Sequence, residues 1–248
     1  MGKINKSKDK KSNKKDKRED VQNKEFKDNL LKLNKPSSKC LNEKQSKLKN
    51  IIKDKDIIIS TGPAGTGKTY VALQTSFNIL LDTKSDIDKI VLCKSVTTIP
   101  KEETGFLPGS MKEKMEPFMI SFTSNIDKIF KGKVSESLLA SGKVEIQPLA
   151  FIRGIQHDNS IIIVDEAQNI DMHTFKTILT RLGKNSKIIF LGDNEQIDMK
   201  KKDESCLSKI THIFNDSDII GIINFEESEC VRNPNIPIIL NILKEHNY

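Results

Sequence analysis

Tryptophan is absent from this chain of 248 residues, tyrosine occurs twice, and only four of the 41 basic residues are arginine. Cysteine is sparse as well. Cys40, Cys93, Cys206 and Cys230 are widely spread and form no Cys-x-x-Cys pair. The four histidines, His157, His173, His212 and His246, show no i, i+4 pairing and no ligand spacing to a cysteine. That pattern argues against a structural metal site and fits reduced thiols in an intracellular, cytoplasmic protein. No apolar run approaches the roughly 18 residues that a membrane-spanning helix needs, so no membrane partner is expected. The Lys-rich N-terminus lacks an apolar stretch and does not read as a secretory signal.

What is abundant is lysine, and it is unevenly placed. The formal net charge is +7. Residues 1–50 hold 16 lysines and Arg18 against 7 acids, a net of about +10, which leaves the rest of the chain near −3. Residues 1–38 repeat Lys, Asn, Ser and Asp with hardly an apolar side chain. Such a segment cannot bury enough surface to offset its ordering entropy, so a disordered basic tail is expected there. It reads equally as a solubilising tail or as an electrostatic arm for nucleic acid, because closely spaced lysines displace counterions from phosphates. Interleaved acids and the shortage of aromatics speak against sequence-specific recognition by it.

From residue 39 to 248 the pattern is that of one α/β domain. Strands are expected at 56–60, 89–93, 144–147, 161–164, 187–191 and 219–225. Helices are expected over 43–53, after the loop at 62–69 as far as 81, then over 111–131, 134–141, 172–182, 204–214 and 236–245. In the helix at 111–131, Met115, Phe118, Met119, Phe122, Ile126 and Ile129 fall at helical spacing and read as core. Apolar β-branched strands alternating with helices imply a mainly parallel sheet covered by helices on both faces. In such folds ligands bind at the carboxyl ends of the strands, and all the candidate chemistry lies on the loops there.

The first of those loops is Gly62-Pro63-Ala64-Gly65-Thr66-Gly67-Lys68-Thr69, a complete Gly-x-x-x-x-Gly-Lys-[Ser/Thr] phosphate-binding loop. Its glycines let backbone N–H groups turn towards phosphate oxygens, at the positive end of the following helix. Lys68 would reach the β- and γ-phosphates, and the Thr69 hydroxyl would ligate Mg²⁺. About a hundred residues on, Ile161-Ile162-Ile163-Val164 runs into Asp165-Glu166. The strand delivers both acids to the sheet's carboxyl edge, where Asp165 would hold Mg²⁺ and Glu166 would orient or deprotonate the attacking water. The next strand ends in Gly192-Asp193-Asn194-Glu195-Gln196, which sets Gln196 to bond both the γ-phosphate and that water. Phosphoryl transfer also calls for a cationic side chain near the developing charge. In a chain that uses lysine almost everywhere, the arginines are the candidates: Arg153, Arg181 and Arg232, with Arg232 favoured as an arginine finger.

These residues, in this order, resemble the PhoH-like family of P-loop ATPases related to superfamily 1 helicases. The likeness runs from about Leu41 to Leu243. It includes the phosphate loop, Gly105-Phe106-Leu107-Pro108-Gly109, and Pro148-Leu149-Ala150-Phe151-Ile152-Arg153-Gly154. It continues through Asp165-Glu166-Ala167-Gln168-Asn169, Leu179-Thr180-Arg181-Leu182-Gly183, Gly192-Asp193 with Gln196, and Cys230-Val231-Arg232. The resemblance implies ATP as substrate, Mg²⁺ as cofactor, a single RecA-like domain and a homo-oligomeric ring. In it Gln45 matches an upstream glutamine that contacts adenine. Lys94-Ser95 departs from the arginine common after that strand, and no nuclease fusion is expected.

A chain long enough for only one RecA-like lobe would draw its arginine, Arg232 or Arg181, from a neighbour in a head-to-tail ring. The leading expectation is an ATPase acting on RNA or single-stranded nucleic acid. The rival is an ATP-driven oligomeric switch that does not move along a strand. A small-molecule kinase ranks below both, because Gly192–Gln196 suits a helicase-like ATPase better.

Overall fold

The computed structural model describes residues 36–95, 111–152, 154–197, 205–215 and 217–231, together with 235, 238, 239, 242, 245 and 246; within 111–118 the side chains are outside this description. The expected tail therefore lies almost wholly outside the described residues, as does most of the C-terminal helix expected at 236–245. Residues 36–38 are already part of the domain. Pro36 is buried, and Ser37 N–H donates to Ile129 O at 3.0 Å.

The chain alternates as its apolar pattern requires. Helix α1 (Glu43–Asp54) precedes β1 (Ile57–Thr61), and the phosphate loop leads into α2 (Lys68–Leu80). Then follow β2 (Lys89–Lys94), α3 (Met111–Phe130), α4 (Ser135–Ala140), β3 (Val144–Pro148) and a short α5 (Leu149–Ile152). Strand β4 (Ser160–Asp165), α6 (Met172–Leu179), β5 (Lys187–Gly192), α7 (Leu207–Ile213) and β6 (Ile220–Asn224) complete the described elements. Helix α1 starts where Asn42 Oδ1 accepts from Gln45 N–H at 2.8 Å, and α6 where Asp171 Oδ1 accepts from Thr174 N–H at 2.6 Å. Both are side-chain caps for otherwise unpaired first-turn amides.

Among the described residues six strands form one sheet in the order β3-β2-β4-β5-β1-β6, and every pairing is parallel. Alternation along each strand splits the core in two. Ile90 and Leu92, Ile161 and Ile163, and Ile189 and Leu191 face α1 to α4. Val91 and Cys93, Ile162 and Val164, and Ile188 and Phe190 face α5 to α7. Helices thus cover both faces of the sheet. On the first, Phe77 of α2 meets Phe130 of α3 edge-on with ring centroids 5.0 Å apart.

Within the described residues the expected strands and helices up to residue 225 are present with small changes of boundary. Helix α6 stops at Leu179, short of the expected 182. Residues 181–183 turn instead to pair with the chain entering β4: His157 N–H donates to Arg181 O, and Gly183 N–H to His157 O. Helix α5 lies outside the expectations, since four residues carry too little periodicity to show it. Among the described residues no helix is long and apolar enough to cross a membrane.

Candidate nucleotide site

The order of the sheet builds the site. Strand β5 lies between β1, which ends in the phosphate loop, and β4, which ends in Asp165-Glu166. All three strands run the same way, so their carboxyl ends open on one edge.

Sharp backbone at glycine shapes the loop. Gly62 has φ +130° and Gly67 φ +85°, values that L side chains rarely adopt. A methyl group on Gly62 would overlap Phe225 O, and one on Gly67 would lie 2.7 Å from Gln45 Nε2. The Lys68 ammonium curls over the loop and donates to Pro63 O at 2.8 Å, to Gly62 O, and to Thr66 Oγ1 at 3.3 Å. The loop's own carbonyls thus hold the ammonium where a phosphate would recruit it.

Opposite the loop, Thr69 Oγ1 donates to Asp165 Oδ1 at 3.3 Å. Burial, and then the charge of Glu166, push the Asp165 carboxyl up to about 6, against the smaller downward pull of Lys94. A hydroxyl and a half-buried carboxylate at this distance are hard oxygen donors of the kind a divalent cation takes. Glu166 sits beside them in a left-handed conformation, φ +54° and ψ +40°, which is rare for a non-glycine residue and concentrates at functional positions. Its Oε1 lies 3.3 Å from Lys94 Nζ, and its Oε2 accepts from Gln168 Nε2 at 2.7 Å.

From the end of β5, Asp193 Oδ2 accepts from Ala64 N–H of the phosphate loop at 3.2 Å. Gln196 follows in the same turn, with its N–H donating to Asp193 O at 3.1 Å. Together these groups line a cavity of about 400 Å³ that includes Lys68, Thr69, Lys94, Asp165, Glu166 and Gln196. Loop amides, an ammonium, a hydroxyl–carboxylate pair and a second carboxylate at one cavity suit a nucleoside triphosphate with a divalent cation. A larger open groove of about 530 Å³ between α1 and β6 is lined by none of these residues.

The other expected residues are placed differently. Gln45 is buried beneath the loop, where its Nε2 donates to Thr66 O at 3.0 Å and its Oε1 accepts from Leu41 N–H at 2.8 Å. In this arrangement it braces the loop's backbone and does not line the cavity. Arg181 lies by the entrance to β4, at the amino edge of the sheet, a full strand length from Asp165. It is not brought into the site of its own chain. Arg153 and Arg232 lie outside the described residues; Val231, which precedes Arg232, donates its N–H to Gly65 O at 3.0 Å and lines the cavity.

Two groups of residues take up positions that sequence reasoning assigns no role. Ser121, Asn125 and Lys128 of α3 line the cavity while Phe122, Ile126 and Ile129 of the same helix are buried in the core. Their own i, i+4, i+7 spacing is the available signal. The second is Gln168, fully buried at the centre of the polar contacts around Glu166.

The fold is a RecA-like P-loop fold, and this cavity is its candidate nucleotide-binding site. A family model described as PhoH-like protein matches residues 38–244, and the chain belongs to that family. It is 35% identical over 196 residues to the PhoH-like protein of Bacillus subtilis (strain 168), covering 79% of this chain and 60% of that protein. To Protein PhoH of Escherichia coli (strain K12) it is 34% identical over 194 residues, 77% of this chain and 54% of that protein. The chain thus matches little more than half the length of these curated relatives. Among solved structures, the large terminase of a thermophilic bacteriophage superposes with a TM-score of 0.50 at 13% identity, over 80% of this chain and 49% of that one. That likeness concerns the fold alone.

Proposed function

We propose that this protein is a Mg²⁺-dependent ATPase of the cytoplasm that acts on RNA or single-stranded nucleic acid. The observation that carries the hydrolytic reading is the Thr69 Oγ1–Asp165 Oδ1 contact of 3.3 Å at the mouth of the phosphate loop, with Glu166 next in the chain. Thr69 and Asp165 would hold Mg²⁺, which would neutralise charge on the phosphate oxygens. The amides of Gly62 to Gly67 and the Lys68 ammonium bind and orient the triphosphate. Glu166 holds the attacking water and takes its proton, and Gln196 bonds the γ-phosphate from the neighbouring strand.

The nucleic-acid part of this reading is supported by family membership and by the basic N-terminal segment. A head-to-tail homo-oligomeric ring would give Arg181 a role that its own chain's site does not. At the far edge of the sheet it lies away from that site and would serve a second copy's, whereas Val231 ties the chain next to Arg232 to the phosphate loop. Mixing Arg181→Ala with Lys68→Ala protein tests this, because each variant supplies what the other lacks. Recovery of hydrolysis in the mixture supports the shared site, and none counts against it.

Hydrolysis measured with and without single-stranded RNA tests the partner. A clear rise supports action on nucleic acid; indifference supports an ATP-driven oligomeric switch instead.

A further inference from the structure

Gln168 occupies the first turn after Glu166, within the 3-10 turn Ala167–Asn169, and has no solvent exposure. Its carboxamide makes three hydrogen bonds to three different pieces of chain. Nε2 donates to Glu166 Oε2 at 2.7 Å and to Gln196 O at 3.0 Å, while Oε1 accepts from Asp193 N–H at 3.0 Å. Both N–H donors are therefore used, and the orientation of the amide is fixed by chemistry. A flipped amide would set its oxygen against a carboxylate and a carbonyl, and its NH₂ against another N–H. Packing closes the remaining space: a methyl group on Gly192 would lie 2.8 Å from Gln168 Oε1.

The three partners belong to different parts of the site. Glu166 is the proposed base, Gln196 lines the cavity where a γ-phosphate would sit, and Asp193 holds the phosphate loop through Ala64 N–H at 3.2 Å. We infer that Gln168 is a positioning residue that fixes the aim of the Glu166 carboxylate and makes that aim depend on the loop 193–196. When the Gln196 side chain engages a γ-phosphate, its carbonyl moves with the loop, and the shared amide carries that movement to Glu166. ADP has no γ-phosphate to pull on Gln196, so the amide reports the third phosphate alone. The inference rests on the hydrolytic reading above. Buried amides with all donors used are costly to replace, because each lost partner leaves an unpaired polar group.

The test is steady-state ATP hydrolysis by wild type, Gln168→Ala and Gln168→Glu, each also placed on a Glu166→Gln background, with ADP binding measured in parallel. Gln168→Glu keeps the shape and the acceptor for Asp193 N–H but loses both donors, so it keeps the test readable if the alanine variant fails to fold. The expected result is a fall in kcat of about 10- to 100-fold, within the roughly 10²- to 10⁴-fold that a positioned general base supplies. KM for ATP and ADP affinity stay near wild type. On the Glu166→Gln background the same substitutions cost almost nothing further, because the group they aim is already gone. A raised KM with unchanged kcat, unchanged kinetics, or a full additional loss on the Glu166→Gln background would overturn the inference. An inert wild type would instead overturn the hydrolytic reading itself, and this inference with it.

Discussion

Thr69 and Asp165, 96 residues apart in the chain, meet at 3.3 Å between a hydroxyl and a carboxylate. One opens α2 and the other ends β4, two strands away from the strand that feeds the loop. Their meeting turns two separate motifs into one site.

Thr69→Ala removes the hydroxyl and leaves the phosphate loop's backbone intact. Nucleotide affinity in the presence of Mg²⁺ is expected to fall by about tenfold, about 1.4 kcal/mol. In EDTA the variant and wild type should bind alike. Titration with a fluorescent nucleotide under both conditions separates a metal-dependent loss from damage to the loop.

Gly62→Ala should be severe for a different reason. Its φ of +130° is strained for any side chain, and the added methyl would overlap Phe225 O. Backbone strain together with that overlap is expected to cost on the order of 2–3 kcal/mol of stability. Chemical denaturation measures it directly, and Gly142→Ala offers a contrast: its φ is also positive, at +69°, but no atom lies within 4 Å of the added methyl.

Thiol reactivity should divide the cysteines into pairs. Cys93 and Cys206 are buried, and burial pushes both thiols up, Cys206 to about 12. Cys40 and Cys230 are partly exposed. Mass spectrometry after a brief native alkylation should find label on Cys40 and Cys230, and on Cys93 and Cys206 only after unfolding. Because Cys230 Sγ lies 3.9 Å from Ala64 O of the phosphate loop, bound nucleotide should slow its labelling.

Acid should weaken the fold through His157. The ring is buried, and burial followed by the nearby Lys89 charge holds its pKa below the usual value. The unfolded chain then takes up the proton more readily than the folded one, so stability is complete above about pH 6.5 and declines as pH falls below it. His157→Phe removes the titrating group. Urea midpoints at pH 8 and pH 5.5 should differ less in that variant than in wild type.

Much of this is legible in the chain. Unbroken apolar runs mark β4 and β5 to within a residue, because a strand buried on both faces leaves no other pattern. The phosphate loop and Asp165-Glu166 are local signatures with local causes. What stays hidden depends on contacts between distant residues. Gln168 belongs to the motif Asp165–Asn169, but its contacts stay hidden until β5 places the carbonyl of Gln196, 28 residues away, against it. Gln45 is expected at the base of a nucleotide, but the fold sets its amide against Thr66 O beneath the loop. Arg181 lies at the amino edge because α6 ends early and the turn that follows it pairs with His157, which helical periodicity does not reveal.

Hydrolysis of ATP by wild type and Glu166→Gln, alongside nucleotide binding by both, tests the central claim most directly. The account predicts Mg²⁺-dependent turnover by wild type and a loss of about 10²- to 10⁴-fold in Glu166→Gln with binding retained. Equal turnover by the two proteins would contradict it, because the carboxylate at the end of β4 would then have no part in the chemistry.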